Sequence, residues 1–133
     1  QLGKKLNLTI GQMVLQHTKA AVDSTSIMKN VLQEITSKRL GATVVLDKNR
    51  IVGFITDGDI RRMLEKYIQI GDLTALDIMT PNPFKMNAST KAVSALQLMN
   101  KKKINHLVVC DDHEAYLGIV HILDFTKEGL GNE

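Results

Sequence analysis

The segment from Gly53 to Arg62 contains the residues whose types and spacing are best suited to chemistry. A β-branched run ends at Thr56, and a helix is predicted to begin within a few residues. Unpaired backbone N–H groups and the dipole at a helix start favour an anion such as phosphate. Asp59 can accept hydrogen bonds from two vicinal hydroxyls, as on a ribose, and Thr56 can donate or accept one. Since Arg61 and Arg62 can neutralise phosphate, the segment suits a nucleotide or a sugar phosphate.

A structural interpretation of this segment has equal weight. Thr56 or Asp57 would then only cap the helix, and the two arginines would only be solvated. Gly58 permits either a close backbone approach or a positive φ angle. Asp57 and Asp59 form an acidic pair, but no third carboxylate is close in sequence. We therefore expect no metal ion there, and no cofactor elsewhere.

A second segment, from Gly118 to Asp124, has the same spacing with different side chains. Asp124 corresponds to Asp59, His121 replaces the threonine, and no arginine follows. His121 is either a pH-sensitive ligand-binding group or a satisfied interior histidine, and the interior role is the commoner one. The same interpretation applies to His106 and His17.

The remaining candidates for chemistry have simpler explanations. Cys110 lies in an apolar strand, which predicts an inert core thiol, and His113 lies in a turn, which predicts an exposed side chain. The histidines and the cysteine lack metal-ligand spacing. Because no nucleophile, base and orienting group occur together, we expect no catalysis by this chain alone.

The elements that position the two segments are themselves repeated. Residues 22–47 align with residues 86–111 at an offset of 64, and one inserted residue in the following turn makes the offset 65. Each copy predicts the order β-α-β-β-α, with side-chain helix caps at residues 23–26 and 87–90 and a helix end at Gly41. The fold class is therefore α+β. One unit is too small to bury both faces of its sheet, so we expect two units packed with pseudo-twofold symmetry.

Composition narrows the function classes. The 133 residues include 44% hydrophobic residues, and the formal net charge is only +3. The densest basic run, Lys101–Lys103, closes a predicted helix, where cations complement the dipole. With 4% aromatic residues and no Trp, we expect no nucleic-acid partner. We also expect no membrane partner, because no apolar run is long enough to span a bilayer. The absence of a signal-peptide pattern and the single cysteine favour the cytoplasm.

The repeat unit and its Gly-x-x-Thr-x-x-Asp motif, complete at residues 53–59, resemble the CBS domain. Members of that family pair as Bateman modules, whose clefts bind adenosine nucleotides or related ligands. The resemblance implies that Thr56 and Asp59 serve one cleft and Asp124 the other, where His121 departs from the family's hydroxyl. It also implies that Thr80, after Ile78-Met79, lines a cleft.

A narrower resemblance is to bacterial D-arabinose 5-phosphate isomerases. Residues 56–62, TDGDIRR, are similar to their TDGDLRR stretch, and residues 77–81, DIMTP, resemble their DVMTP. Residues 2–6 resemble the segment leaving their sugar-isomerase (SIS) domain, which carries the active site and supplies Kdo synthesis for lipopolysaccharide or capsule. The resemblance implies a linker at residues 1–10, CBS repeats at 11–70 and 71–133, and a partner SIS domain that this chain lacks.

Two functions follow from the resemblance. The first is a regulatory sensor of a nucleotide or nucleotide sugar, such as an AMP-like ligand or CMP-Kdo, for the parent isomerase. The second is a structural module that oligomerises the isomerase and has vestigial clefts. Both are compatible with a homodimer formed through the CBS pairs, with Ile60, Met63 and Leu64 as the expected apolar contact.

Overall fold

The computed structural model describes residues 6–14 and 19–130. Helices and strands follow in the order α1 (Ile10–Val14), β1 (Ala21–Asp23), α2 (Met28–Lys38), β2 (Ala42–Asp47), β3 (Arg50–Thr56), α3 (Asp57–Lys66), α4 (Ala75–Ile78), β4 (Thr80–Pro81), β5 (Lys85–Asn87), α5 (Ala92–Lys102), β6 (His106–Cys110), β7 (Tyr116–His121) and α6 (Ile122–Lys127). The predicted α+β class and the order β-α-β-β-α in both copies are confirmed. None of the described helices is long and apolar enough to cross a bilayer.

The described strands form two sheets that repeat one pairing scheme. One sheet has the order β1-β2-β3-β4 and the other has the order β5-β6-β7. The first pair in each is parallel, with Ala21 opposite Val44 and Lys85 opposite Val108. The next pair in each is antiparallel, with a register shift after Val45 and after Val109. Each residue of these pairs in the first sheet lies 64 positions before its counterpart in the second sheet. The predicted repeat therefore extends to the register of the strands.

The inserted residue of the second copy lies in the turn between its antiparallel strands. In the first copy, Lys48 and Asn49 have φ angles of 51° and 66°. Two successive left-handed residues are typical of the type I′ turn of a tight hairpin. In the second copy, Asp111 Oδ1 accepts hydrogen bonds from the backbone N–H groups of His113 (2.8 Å) and Ala115 (2.9 Å). The longer turn is thus held by a side chain.

Three predicted helix ends were wrong. The residue before α2 is Ile27 and that before α5 is Lys91, and neither caps its helix through a side chain. Asp23 Oδ2 instead accepts from the backbone N–H of Thr25 at 3.0 Å, inside the preceding turn, because aspartate readily bonds its own backbone two residues on. The left-handed residue after α2 is Arg39, and Gly41 lies beyond it. The basic end of α5 is as predicted.

The chain divides into two compact units that do not follow the order of the sequence. One unit is Ala20–Pro83, and the other combines residues 6–14 and 19 with residues 84–130. Helix α1 therefore belongs with the second copy's strands, and α4 and β4 belong with the first copy's strands. These units are defined by contacts within the fold, so they do not test the predicted boundary between the two sequence repeats at residue 70.

Each unit has its own hydrophobic core. Val31, Val45 and Ile55 are buried in the unit Ala20–Pro83. Phe125 and Met99 are buried in the other unit. Ile10, from α1, is part of this second core. The short helix before each copy is thereby fixed against the other copy's sheet by apolar burial.

Candidate functional site

The junction of β3 and α3 fixes Asp59 by local hydrogen bonds. The backbone N–H of Thr56 donates to Asp59 Oδ2 at 3.0 Å, and Thr56 Oγ1 lies 3.4 Å from the same oxygen. Residues Thr56 and Asp59 occupy the first and last positions of a capping box at the start of α3. This arrangement satisfies backbone groups that a helix start leaves without partners. Thr56 therefore caps α3, which is the part of the structural interpretation that this geometry confirms.

The second carboxylate oxygen of Asp59 receives two further donors. Arg62 Nη2 lies 2.7 Å from Oδ1, and Thr80 Oγ1 lies 3.0 Å from it. Asp59 is only 7% exposed, so it is a buried carboxylate whose oxygens both accept hydrogen bonds from the protein. Thr80 reaches it from β4, which pairs with β3 opposite Gly53 and Phe54. The structure thus brings together four predicted site residues, Thr56, Asp59, Arg62 and Thr80.

The two arginines differ in their surroundings. Arg62 pairs with Asp59 although its side chain is 62% exposed, so the alternative in which both arginines are only solvated does not hold for Arg62. Arg61 is exposed. Gly58 does not have a positive φ angle; it lies within α3, and a Cβ there would stand 3.3 Å from Arg62 Nη1. The glycine leaves room for the guanidinium above the first turn of α3.

The junction of β7 and α6 uses histidine in the place of threonine. His121 Nδ1 accepts a hydrogen bond from the backbone N–H of Leu123 at 3.0 Å. The backbone N–H of His121 donates to Asp124 Oδ2 at 2.8 Å, and Asp124 is 7% exposed. An accepting Nδ1 places the ring proton on Nε2. His121 therefore performs the same capping function as Thr56, through a ring nitrogen.

Sequence inspection missed the cation of this second junction. Lys127 Nζ lies 4.0 Å from Asp124 Oδ1, and Lys127 corresponds to Arg62 at the offset of 65 residues. The signal was present in the repeat itself, because both aspartates have a basic residue three positions later. His106 packs edge-on against His121, with ring centroids 4.9 Å apart.

The glycine of each motif is required by a neighbouring side chain. A Cβ at Gly53 would overlap Met79 Sδ and would lie 3.0 Å from Met79 Cβ. A Cβ at Gly118 would lie 3.0 Å from Val14 Cβ. Met79 directly precedes Thr80, so the close approach at Gly53 helps to place Thr80 beside Asp59.

A small cleft of about 230 Å³ opens beside Asp59 and Arg62 and extends along α3 and α4. Its lining also includes Lys66, Tyr67 and Asp77. Arg62 and Lys66, one helical turn apart on α3, therefore give the cleft one cationic face.

The other candidate residues take structural positions. Cys110 is buried, and burial raises the pKa of its thiol, with a smaller opposing effect from Lys85. His113 is exposed, as predicted, and His17 lies outside the described residues. Met63 is 2% exposed, so its predicted role in an exposed contact was wrong, because α3 turns it into the core. Within residues 6–14 and 19–130, no three His, Cys, Asp or Glu side chains cluster as metal ligands would.

Comparison with known protein families identifies both copies of the repeat. A family model for the CBS domain matches residues 16–66 and 75–131. The chain belongs to the CBS-domain family. The matched ranges contain both strand-to-helix junctions and all seven predicted site residues.

Among curated CBS-containing relatives, arabinose 5-phosphate isomerase KdsD of Escherichia coli (strain K12) is 35% identical over 134 residues. That alignment covers 97% of this chain and 40% of that protein. The chain therefore spans about 40% of the length of the curated relative it matches.

Solved CBS structures share the fold at low sequence identity. A CBS domain protein from Pyrobaculum aerophilum complexed with AMP has a TM-score of 0.78 and 21% identity, covering 89% of this chain and 90% of that chain. The CBS domain of a bacterial CNNM/CorC family Mg²⁺ transporter in complex with ATP has a TM-score of 0.75 and 17% identity, covering 99% of this chain and 94% of that chain.

Proposed function

We propose that this chain is the nucleotide- or nucleotide-sugar-sensing part of a cytoplasmic arabinose 5-phosphate isomerase, and that it regulates the isomerase without catalysing the reaction. The observation that carries the proposal is the buried Asp59 carboxylate, on which donors from β3, α3 and β4 converge. A fixed carboxylate paired with Arg62, which is next to Arg61 in sequence, has the chemistry to accept hydrogen bonds from ribose hydroxyls while the arginines neutralise phosphate.

The similarity to KdsD supports the identity of the parent enzyme, since it covers nearly the whole chain. The AMP and ATP complexes of two structural neighbours support the ligand class. A product of the pathway that carries a nucleotide, such as CMP-Kdo, is a chemically reasonable feedback ligand because it would combine a ribose diol with a phosphate. In this proposal Thr56, Asp59, Arg61, Arg62 and Thr80 serve one site, and His121 and Asp124 serve a second, weaker one.

The ligand proposal is tested by calorimetry with AMP, ATP, CMP and CMP-Kdo. We expect saturable binding of at least one of them, weakened about 10- to 100-fold by Asp59→Asn, because a hydrogen bond to a charged group contributes about 1.5–3 kcal/mol. Asparagine keeps an acceptor for the Thr56 N–H, so the helix start is preserved. Asp72→Asn, in an exposed turn of the same unit, is the matched charge control. Absence of binding by all four compounds would contradict the proposal.

Regulation requires a second experiment in the full-length polypeptide. A ligand identified by calorimetry should change the isomerase rate, and the change should disappear in Asp59→Asn. An unchanged rate at saturating ligand would leave binding intact and refute the regulatory role.

The alternative proposal is a structural module that holds the isomerase together as a homodimer. It is favoured by Leu64, which is 59% exposed on α3, and by the half-buried Ile60 on the same helix. Sedimentation of wild type and Leu64→Lys tests it. The charged variant should shift the equilibrium towards monomer, and a wild-type chain that stays monomeric at high concentration would refute it.

A further inference from the structure

The acceptor positions of Asp59 are already in use. Oδ2 accepts from the backbone N–H of Thr56 at 3.0 Å and lies 3.4 Å from Thr56 Oγ1, as part of the capping box of α3. Oδ1 accepts from Arg62 Nη2 at 2.7 Å and from Thr80 Oγ1 at 3.0 Å. A carboxylate oxygen offers about two lone-pair positions. A diol that donates to Oδ1 therefore has to displace Arg62, Thr80 or both.

Of the two groups that donate to Oδ1, Arg62 is the one whose side chain has the freedom to rotate away. Its side chain is 62% exposed, whereas Asp59 is 7% exposed. The absence of a side chain at Gly58 leaves space around the guanidinium, since a Cβ there would come within 3.3 Å of Nη1. Thr80 is fixed differently, because its strand β4 pairs with β3. Arg62 can leave Asp59 by side-chain rotation alone, without any change in the backbone of α3.

We propose that Arg62 is a specificity-determining residue that competes internally for Asp59 and selects ligands carrying both a vicinal diol and a phosphate. The inference rests on the proposed function and deepens it. In the free chain, Arg62 neutralises Asp59. A bound ribose takes its place on Oδ1, and the released guanidinium pairs with the phosphate of the same ligand.

The selection follows from the balance of charges. A nucleoside that displaces Arg62 leaves the guanidinium without an anion, so its binding is weakened by the ion pair that it breaks. A nucleotide supplies a phosphate, which accepts paired hydrogen bonds from a guanidinium. The exchange then replaces one ion pair with another, and the buried carboxylate stays hydrogen-bonded throughout.

The test compares adenosine with AMP, and cytidine with CMP, by calorimetry on wild type and Arg62→Ala. The exposed ion pair is weak, so removing the competitor should tighten nucleoside binding by about 2- to 5-fold. The same variant should weaken binding of the nucleotide by about 10-fold, since a charged hydrogen-bond partner is lost. The preference for nucleotide over nucleoside should thus fall in both pairs.

Two controls separate competition from general loss of charge. Arg61→Ala removes the same charge from the neighbouring exposed position, and it should not tighten nucleoside binding. The second control is 2′,3′-dideoxyadenosine, which has no diol to donate to Asp59, so Arg62→Ala should not increase its affinity.

The outcomes distinguish the two proposals. One outcome would refute competition by Arg62 and leave the proposed function standing. In that outcome nucleotide binding depends on Asp59, but Arg62→Ala weakens binding of nucleoside and nucleotide equally. Nucleoside binding that tightens equally in Arg61→Ala would also refute competition by Arg62. If neither wild type nor Arg62→Ala binds adenosine, AMP, cytidine or CMP, the competition proposal is overturned, and the proposed function fails as well if ATP and CMP-Kdo also do not bind.

Discussion

Replacement of Gly53 by alanine should destabilise the unit that contains the Asp59 site. The added Cβ would overlap Met79 Sδ and would stand 2.8 Å from Met79 Cγ and 3.0 Å from Met79 Cβ. Optimal separation of non-bonded heavy atoms is about 3.5–4.0 Å. The thioether end could rotate away, but Met79 Cβ is attached to the backbone and cannot. Relief therefore requires movement of the segment that carries Thr80.

The magnitude follows from two opposing contributions. Forcing a methyl group into occupied space costs about 1–3 kcal/mol. Alanine is favoured over glycine in a strand interior by about 0.5–1 kcal/mol. We therefore expect Gly53→Ala to lower the free energy of unfolding by about 1 kcal/mol, and by about 2.5 kcal/mol at most. It should also weaken ligand binding through displacement of Thr80.

Urea unfolding monitored by circular dichroism measures this change, and a double-mutant cycle assigns its cause. In a Met79→Gly background, which also removes the Cβ of residue 79, the Cβ of residue 53 has room, so Gly53→Ala should cost less there by about 1 kcal/mol or more. Gly71→Ala is the matched control, since nothing lies within 4 Å of its Cβ position. If Gly53→Ala stabilised the chain as much as Gly71→Ala, or cost the same with and without Met79, the steric explanation would be refuted.

Three further predictions concern single residues outside that contact. His121→Ala should lower the free energy of unfolding by about 0.5–2 kcal/mol because α6 loses the Nδ1 cap, whereas His121→Thr should retain most of it; equal losses in urea titrations would exclude a capping role. Hydrogen bonds from the backbone N–H groups of Ala115 and His113 lower the pKa of Asp111 in the folded chain. The stability that these hydrogen bonds contribute is therefore complete above about pH 4, the ordinary pKa of an aspartate. It is lost as the pH falls through the lowered pKa of the folded state. The urea midpoint of wild type should accordingly fall more steeply below pH 4 than that of Asp111→Asn, and parallel curves would contradict this. Burial raises the pKa of Cys110, so iodoacetamide at pH 8 should alkylate it slowly in the folded chain and rapidly in urea; rapid labelling without urea would show an accessible thiolate.

Sequence alone determined the features that depend on neighbouring residues. The repeat at offsets of 64 and 65, the strand-to-helix junction at Thr56 and the basic end of α5 all follow from local periodicity and helix-end chemistry. The burial of Cys110 follows from its apolar strand in the same way. Asp59 was identified as a key residue because a carboxylate at the start of a predicted helix can accept hydrogen bonds from two vicinal hydroxyls, and because it completes the Gly-x-x-Thr-x-x-Asp motif.

Only the tertiary structure decided which distant groups meet. Thr80 reaches Asp59 across 21 residues because β4 pairs with β3. Val14 packs on Gly118 because α1 joins the unit of the second copy. Local patterns do not encode such contacts, since they depend on which apolar faces find one another during folding. Asp59 and Arg62, in contrast, lie three residues apart on α3, so their pairing is a local one, and the tertiary structure contributes only the burial of the carboxylate.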